Sequence, residues 1–233
     1  MKREEFLSKV FESYRLIKVL ADKNGCKVLR LRHKTLEKDI ILRSFPQVVS
    51  AYDFLCDLKH ENLPMVLDTV TLDDGQIVFE EFIDGITVAE VLETGKYRYL
   101  GAKRVITSVC QALKVFHGHG FVHRDIKPEN IIIGQSGRTV LIDFNISRKM
   151  NKNNQDTVVM GTVGYASPEQ LGITQSDPRT DIYALGVLLN IMLIGKHPCE
   201  QIAKGKAGRI IKKCTGINPN QRFQSVDDLV DAL

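Results

Sequence analysis

Two short stretches carry residue types that could do chemistry together. The first is His123-Arg124-Asp125-Ile126-Lys127-Pro128-Glu129-Asn130, and the second is Asp143-Phe144-Asn145, 18 residues beyond Asp125. Asp125 and Asn130 flank a tight loop ahead of an apolar run, and Asp143 follows the return run. A hairpin between them would bring two carboxylates and one carboxamide to the same end. Oxygen ligands of this kind suit Mg²⁺, which takes a few carboxylates together with phosphate oxygens and water. Lys127 adds positive charge where a phosphoryl group in transfer would develop negative charge.

The elements that must position these residues fall into two sets. The first is strand-rich. Lys27 to Arg32 alternates, Asp39 to Phe45 and Gln76 to Ile83 are rich in β-formers, and Asp73-Asp74-Gly75 signals a hairpin. Between them Val48, Tyr52, Leu55 and Leu58 recur at helical spacing and predict one amphipathic helix ending before Asn62. From about Ile86 the pattern turns helical. Val105, Val109, Ala112, Leu113 and Phe116 make one stripe, broken by His117-Gly118-His119-Gly120. Ile131 to Ile133 and Val140 to Ile142 read as a small hairpin across Gly134 to Gly137. Asp181 is expected to cap a helix apolar on nearly every side up to Gly195, and an amphipathic pair covers Ala207 to Cys214 and Val226 to Leu233. The sketch is a small sheet lobe, a connector near Phe82 to Gly85 and a larger helical lobe, with a cleft between lobes as the expected ligand site.

Composition narrows the classes. The chain has 233 residues, 43% of apolar type and 26% charged, enough for a sizeable core and incompatible with disorder, collagen or coiled coil as the whole account. A net charge of +4 is too small to argue for nucleic acid. Cys26, Cys56, Cys110, Cys199 and Cys214 are odd in number and lack a Cys-x-x-Cys pair, which argues against a disulfide framework or a zinc site. The charged first twenty residues do not suit a signal peptide, and Ala184 to Ile194 is too short for a membrane span. A soluble, cytoplasmic protein with no nucleic-acid or membrane partner is the expectation.

The loop His123 to Asn130 resembles the H-R-D-x-K-x-x-N catalytic loop of the eukaryotic-type protein kinases, in their Ser/Thr branch. The resemblance runs from about Tyr14 to Leu233. Gly161 to Glu169 is similar to the end of an activation segment, with Ser167 where Ala is usual; Asp181 to Gly186 to the start of the buried central helix; and Asn218 to Phe223 to the late arginine motif. The fold class implied is α+β and bilobal. A small antiparallel sheet lobe with one helix (1–83) joins a larger, mainly helical lobe (84–233) that is shortened near 195–208. The cofactors implied are ATP and Mg²⁺, with a protein hydroxyl as acceptor. By resemblance Asp125 accepts or orients the hydroxyl proton, Lys127 lies beside the γ-phosphate, and Asn130 and Asp143 hold Mg²⁺. Val28, Ile41, Arg43 and Ile132, with main-chain groups of Glu81 and Ile83, face the nucleotide. Asp181 would accept from backbone N–H groups of the loop, Arg222 would pair with Glu169, and Thr162 would bond near Asp125 and Lys127. Leu55, Val66, His123 and Phe144 would form an apolar spine. Arg124, with Arg148 and Lys149, would receive a phosphate on Thr157.

The small lobe departs from that pattern. Ala21, Lys23 and Cys26 stand where a phosphate loop needs glycines, and Gly25 is one position off. Arg43 replaces the strand lysine, Ile41 the small residue roofing the adenine, and Ala51 the helix glutamate. Asp53 lies two positions on and projects about 200° away around a helix. Arg43 reads either as a phosphate contact or as a solvated strand-end charge. Glu80 precedes the expected hinge, with its partner not identifiable. Asn145 stands where Gly is usual, a mild change because Asn tolerates left-handed backbone. Lys196, Lys204, Lys206, Arg209, Lys212 and Lys213 make a basic stretch, read either as a solvated face or as a dock for an acidic protein. Two functional classes stay open: a Ser/Thr kinase with weakened nucleotide binding, and a pseudokinase acting as a scaffold or regulatory module. A small-molecule phosphotransferase is a third, weaker reading.

Overall fold

The computed structural model describes residues 1–150, 162, 164–171 and 175–233. They form two compact units, 1–60 with 64–84, and 61–63 with 85–233.

The first unit runs α1 (Arg3–Ser13), β1 (Tyr14–Lys23), β2 (Cys26–His33), β3 (Asp39–Phe45), α2 (Ser50–Cys56), β4 (Val66–Leu72) and β5 (Gly75–Glu81). The five strands form one antiparallel sheet in the order β1-β2-β3-β5-β4. Period-two alternation divides the sheet into two faces. Leu29, Leu31, Ile40, Leu42 and Ile77 make one face, covered by Phe6, Leu7 and Val10 of α1. Ile41, Arg43, Phe45, Val78 and Glu80 alternate onto the other, where Phe45 stacks on Tyr52 of α2 at 5.4 Å. Helix α1 was not foreseen: only three apolar residues in REEFLSKVFES reach the sheet, too sparse a stripe to stand out.

Two turns fix the strand register. Asn24 and Gly25 both take positive φ (53° and 76°), so β1 and β2 close through a two-residue turn with Lys23 opposite Cys26. The stretch Leu20 to Val28, where a phosphate loop was expected, is thus a tight hairpin. At Gly75 a Cβ would come within 1.9 Å of the Phe45 carbonyl oxygen, so only glycine fits there.

Helix α2 is shorter than its apolar spacing implies. Val49 is its extended N-cap residue, which leaves Val48 outside the helix and half exposed rather than on the buried stripe. Fully buried Gln76 ties α2 to the sheet: its Oε1 accepts from Val49 N–H (2.9 Å) and its Nε2 donates to Asp53 (2.9 Å).

The second unit runs β6 (Gly85–Thr87), α3 (Val88–Thr94), α4 (Tyr99–Gly118), β7 (Phe121–Val122), β8 (Ile131–Gly134), β9 (Thr139–Leu141), β10 (Arg148–Lys149), α5 (Pro178–Ile194), α6 (Gly205–Cys214) and α7 (Val226–Ala232). The expected stripe of α4 is buried in full. Helix α5 is buried on nearly all sides, but its N-cap is Asp177, four residues before Asp181. The Asp177 carboxylate accepts from Arg179 N–H, Thr180 answers it in a capping box, and Pro178 occupies the first turn. Asp181 therefore lies inside the helix, correcting its expected role as cap.

Residues 195–204 contain no helix and are anchored to α5 by a buried side chain. Asn190, wholly buried on α5, donates to the carbonyls of Lys196 (2.7 Å) and Gln201 (2.8 Å) and accepts from Ala203 N–H (2.9 Å). Asn190→Leu strands three backbone groups and is expected to destabilise the protein by about 2–4 kcal/mol, read as a lower urea midpoint.

Candidate active site

The loop carrying Asp125 is suspended between two small ladders. Strand β7 pairs antiparallel with β10, β8 pairs with β9, and Ile142 N–H bonds the Asn130 carbonyl at 2.9 Å. Asp125 follows β7 and Asp143 follows β9, one before and one after the β8–β9 hairpin in the chain. Two non-glycine residues in this region hold positive φ, Arg124 at 68° and Asp143 at 69°. Each such backbone costs about 1–3 kcal/mol and persists only where surrounding bonds enforce it.

At Arg124, Asp181 supplies that enforcement. Its fully buried carboxylate accepts from His123 N–H (2.9 Å), Arg124 N–H (2.8 Å) and His117 Nε2 (2.7 Å). Burial alone would raise its pKa; the His117 hydrogen bond and charge, with the other donors, outweigh burial and hold it below the usual carboxylate range. The loop's anchorage by Asp181 is complete above the usual carboxylate range and is lost as pH falls through the depressed value. Asp181→Asn turns one acceptor into a donor facing these groups; a loss of about 2–4 kcal/mol in thermal unfolding is expected.

His123 is wholly buried, and burial depresses its pKa, so it stays neutral. Its Nδ1 accepts from Asp125 N–H at 3.3 Å, which puts the ring proton on Nε2, 3.3 Å from the Ile142 carbonyl. The ring meets Phe144 edge-on at 5.1 Å, and Phe144 packs on Phe116.

Around Asp125 three side chains close a network. Oδ1 accepts from the Thr162 hydroxyl (2.6 Å), while Oδ2 takes Lys127 Nζ (2.7 Å) and Asn130 Nδ2 (2.9 Å). Lys127 Nζ also donates to Thr162 Oγ1 (2.9 Å), and Asn130 Nδ2 to the Asp125 carbonyl (2.9 Å). Asn130 thereby spends its amide hydrogens on Asp125 and presents Oδ1 as its remaining polar atom. That oxygen, with the Asp143 carboxylate, is a hard donor set that fits Mg²⁺ completed by phosphate and water. Among the described residues no cluster of three or more His, Cys, Asp or Glu forms a larger metal cage. Chemically, an acceptor-only carboxylate beside an ammonium and a hydroxyl can take a proton from an incoming alcohol.

Ile132, on β8 opposite Val140, is half buried. In the first unit Val28, Ile41 and Arg43 come to one sheet face, Val28 directly across from Arg43. The Glu81 side chain turns elsewhere and accepts from Met65 N–H (2.8 Å), with Glu81 N–H on the Met65 carbonyl (2.9 Å). Ile83 is buried just beyond the end of β5. Arg43 is not a solvated strand-end charge. It is 5% exposed, and its Nε meets Oε2 of Glu80 at 2.7 Å, which also identifies the partner of Glu80.

Arg222 and Glu169 form the expected pair, at 2.6 and 2.9 Å. Arg124 donates from Nε to the Ile146 carbonyl (2.7 Å); burial lowers its pKa, with nearby Arg148 adding to the effect. Thr157 lies outside the described residues. His117 was read as part of a helix break. The signal for it was its position four residues after buried Leu113, on the inward face of α4.

Residues 15–230 match the family model described as the protein kinase domain. The chain belongs to the protein kinase family. Its fold is accordingly the α+β, bilobal kinase type. It is similar to a protein named as probable serine/threonine-protein kinase of Clostridium perfringens, 34% identical over 175 residues, or 74% of this chain and 25% of that protein. It is also similar to the serine/threonine-protein kinase PknB of Mycobacterium tuberculosis, 38% identical over 150 residues, or 60% of this chain and 24% of that protein. The chain thus spans about a quarter of the length of these curated relatives. Among the described residues no helix is long and apolar enough to cross a membrane.

Proposed function

We propose that this kinase-family chain is a Ser/Thr protein kinase, transferring the γ-phosphate of Mg-ATP to a protein hydroxyl with weakened nucleotide binding. The observation that carries the reading is the closed Asp125–Lys127–Asn130–Thr162 network. Asp125 orients the acceptor hydroxyl and takes its proton. Lys127 places its ammonium beside the transferring group, where negative charge grows. Asn130 Oδ1 and the Asp143 carboxylate hold Mg²⁺, which when bound neutralises phosphate charge. Val28, Ile41 and Ile132 offer apolar contact to the base, Arg43 charge to the phosphates, and Glu81 and Ile83 main-chain groups to the adenine edge. We take 1–233 as one such domain, cytoplasmic, with 195–208 as its shortened stretch. An acidic partner for the basic stretch from Lys196 to Lys213 and a phosphate on Thr157 received by Arg124, Arg148 and Lys149 belong to the same proposal.

A second reading, a pseudokinase scaffold, is favoured by the tight Asn24–Gly25 hairpin and by Ala51 on α2. Purified protein incubated with Mg²⁺ and γ-labelled ATP distinguishes the two. Label transfer to protein that Asp143→Asn removes supports the kinase. Nucleotide-independent partner binding without transfer supports the scaffold.

A further inference from the structure

The pair formed by Arg43 and Glu80 has an unusual origin. In the family pattern the strand cation is held by a glutamate on the neighbouring helix. Here α2 has Ala51 at that position, and its one acidic residue, Asp53, accepts from Gln76 Nε2 at 2.9 Å and Thr69 Oγ1 at 3.5 Å. The carboxylate beside Arg43 comes instead from β5. Strands β3 and β5 are hydrogen-bonded neighbours in which Arg43 lies opposite Val78 and Ile41 opposite Glu80, so Arg43 and Glu80 are diagonal partners on one face. Both are almost fully buried, at 5% and 2% exposure.

A buried ion pair is poor evidence of a stabilising role, because an apolar pair of similar volume would hold the sheet as well or better. Its retention on the face shared with Val28 and Ile41 points to a demand for an oriented cation. We infer that Glu80 is the positioning residue for Arg43: a strand-borne carboxylate replaces the helix-borne one and aims the guanidinium at a nucleotide's phosphates. The inference rests on the nucleotide-binding reading above. The backbone ladder joining β3 to β5 sets the geometry of this pair, so cation placement is independent of where α2 sits.

Calorimetric titration of the full chain with Mg-ATP tests this. Glu80→Gln should weaken ATP binding by about tenfold or more, the loss of one charge-assisted orienting bond. Because that variant removes the carboxylate charge beside a buried cation, Arg43→Met/Glu80→Met serves as a second test. It should keep its melting temperature within a few degrees yet lose ATP affinity to the same degree. Asp53→Ala loosens α2 and should lower the melting temperature while leaving the ATP Kd within about twofold. Unchanged Kd in Glu80→Gln and in the double methionine variant, with normal binding by the unaltered chain, overturns the positioning role alone. A Kd that follows Asp53→Ala as strongly as Glu80→Gln overturns the helix independence. No binding by the unaltered chain overturns both this inference and the nucleotide reading.

Discussion

Asp125→Asn is expected to reduce the phosphoryl-transfer rate by about 10²–10⁴-fold, the usual worth of a positioned general base. The substitution conserves size, and its amide can still accept from Asn130 Nδ2 and Lys127, which hold Oδ2 at 2.9 and 2.7 Å. The backbone bond from Asn130 Nδ2 to the residue-125 carbonyl is untouched. What disappears is the ability to take a proton, together with the acceptor for the Thr162 hydroxyl and the negative charge beside Lys127. Single-turnover kinetics with Mg-ATP and a protein acceptor should therefore show a fall in rate with ATP affinity unchanged. Equal losses in rate and affinity would mean that the residue holds the loop rather than the proton.

Arg222→Met carries the second large effect, a destabilisation of about 3–5 kcal/mol from leaving Glu169 buried and unpaired. All five guanidinium hydrogens are spent: two on Glu169, one each on the carbonyls of Gly216, Arg179 and Ile217. Glu169 also accepts from Thr180 Oγ1 at 3.0 Å. For Glu169 burial raises the pKa, but Arg222 outweighs it and the net shift is downward. The pair's contribution is thus complete above the ordinary glutamate pKa and is lost as pH falls through the depressed value. In Arg222→Met the main opposition to burial is gone, so the gap in unfolding free energy between the two proteins should narrow as pH drops from 7 toward 4. Denaturant titrations at several pH values read this, and a pH-independent gap would contradict it.

Most of the fold was legible because its signals were local. Asp73-Asp74-Gly75, the Ile131/Val140 hairpin and the α4 stripe each depend on residues within one element or turn. The Asp125 loop was legible for a different reason: its residue types allow few other chemistries at that spacing. Two of the misses depend on partners distant in sequence. Arg43 and Glu80 are 37 residues apart, and His117 and Asp181 are 64 apart. Nothing in the strand Asp39–Phe45 announces that its arginine is buried, since alternation gives a face and not a partner. Helix α1 escaped notice because three apolar contacts suffice when a sheet face is already in place. Asp181 was misplaced as a cap by two positions competing for one role: the Asp177-Pro178 pair is the stronger start signal.

The most direct measurement of the central claim is phosphate transfer by the intact chain. With Mg²⁺, γ-labelled ATP and a Ser/Thr-rich protein acceptor, the unaltered chain should place label on hydroxyl side chains, and Asp143→Asn should place none. Absence of label from the unaltered chain, together with no nucleotide-induced rise in its melting temperature, would contradict the account.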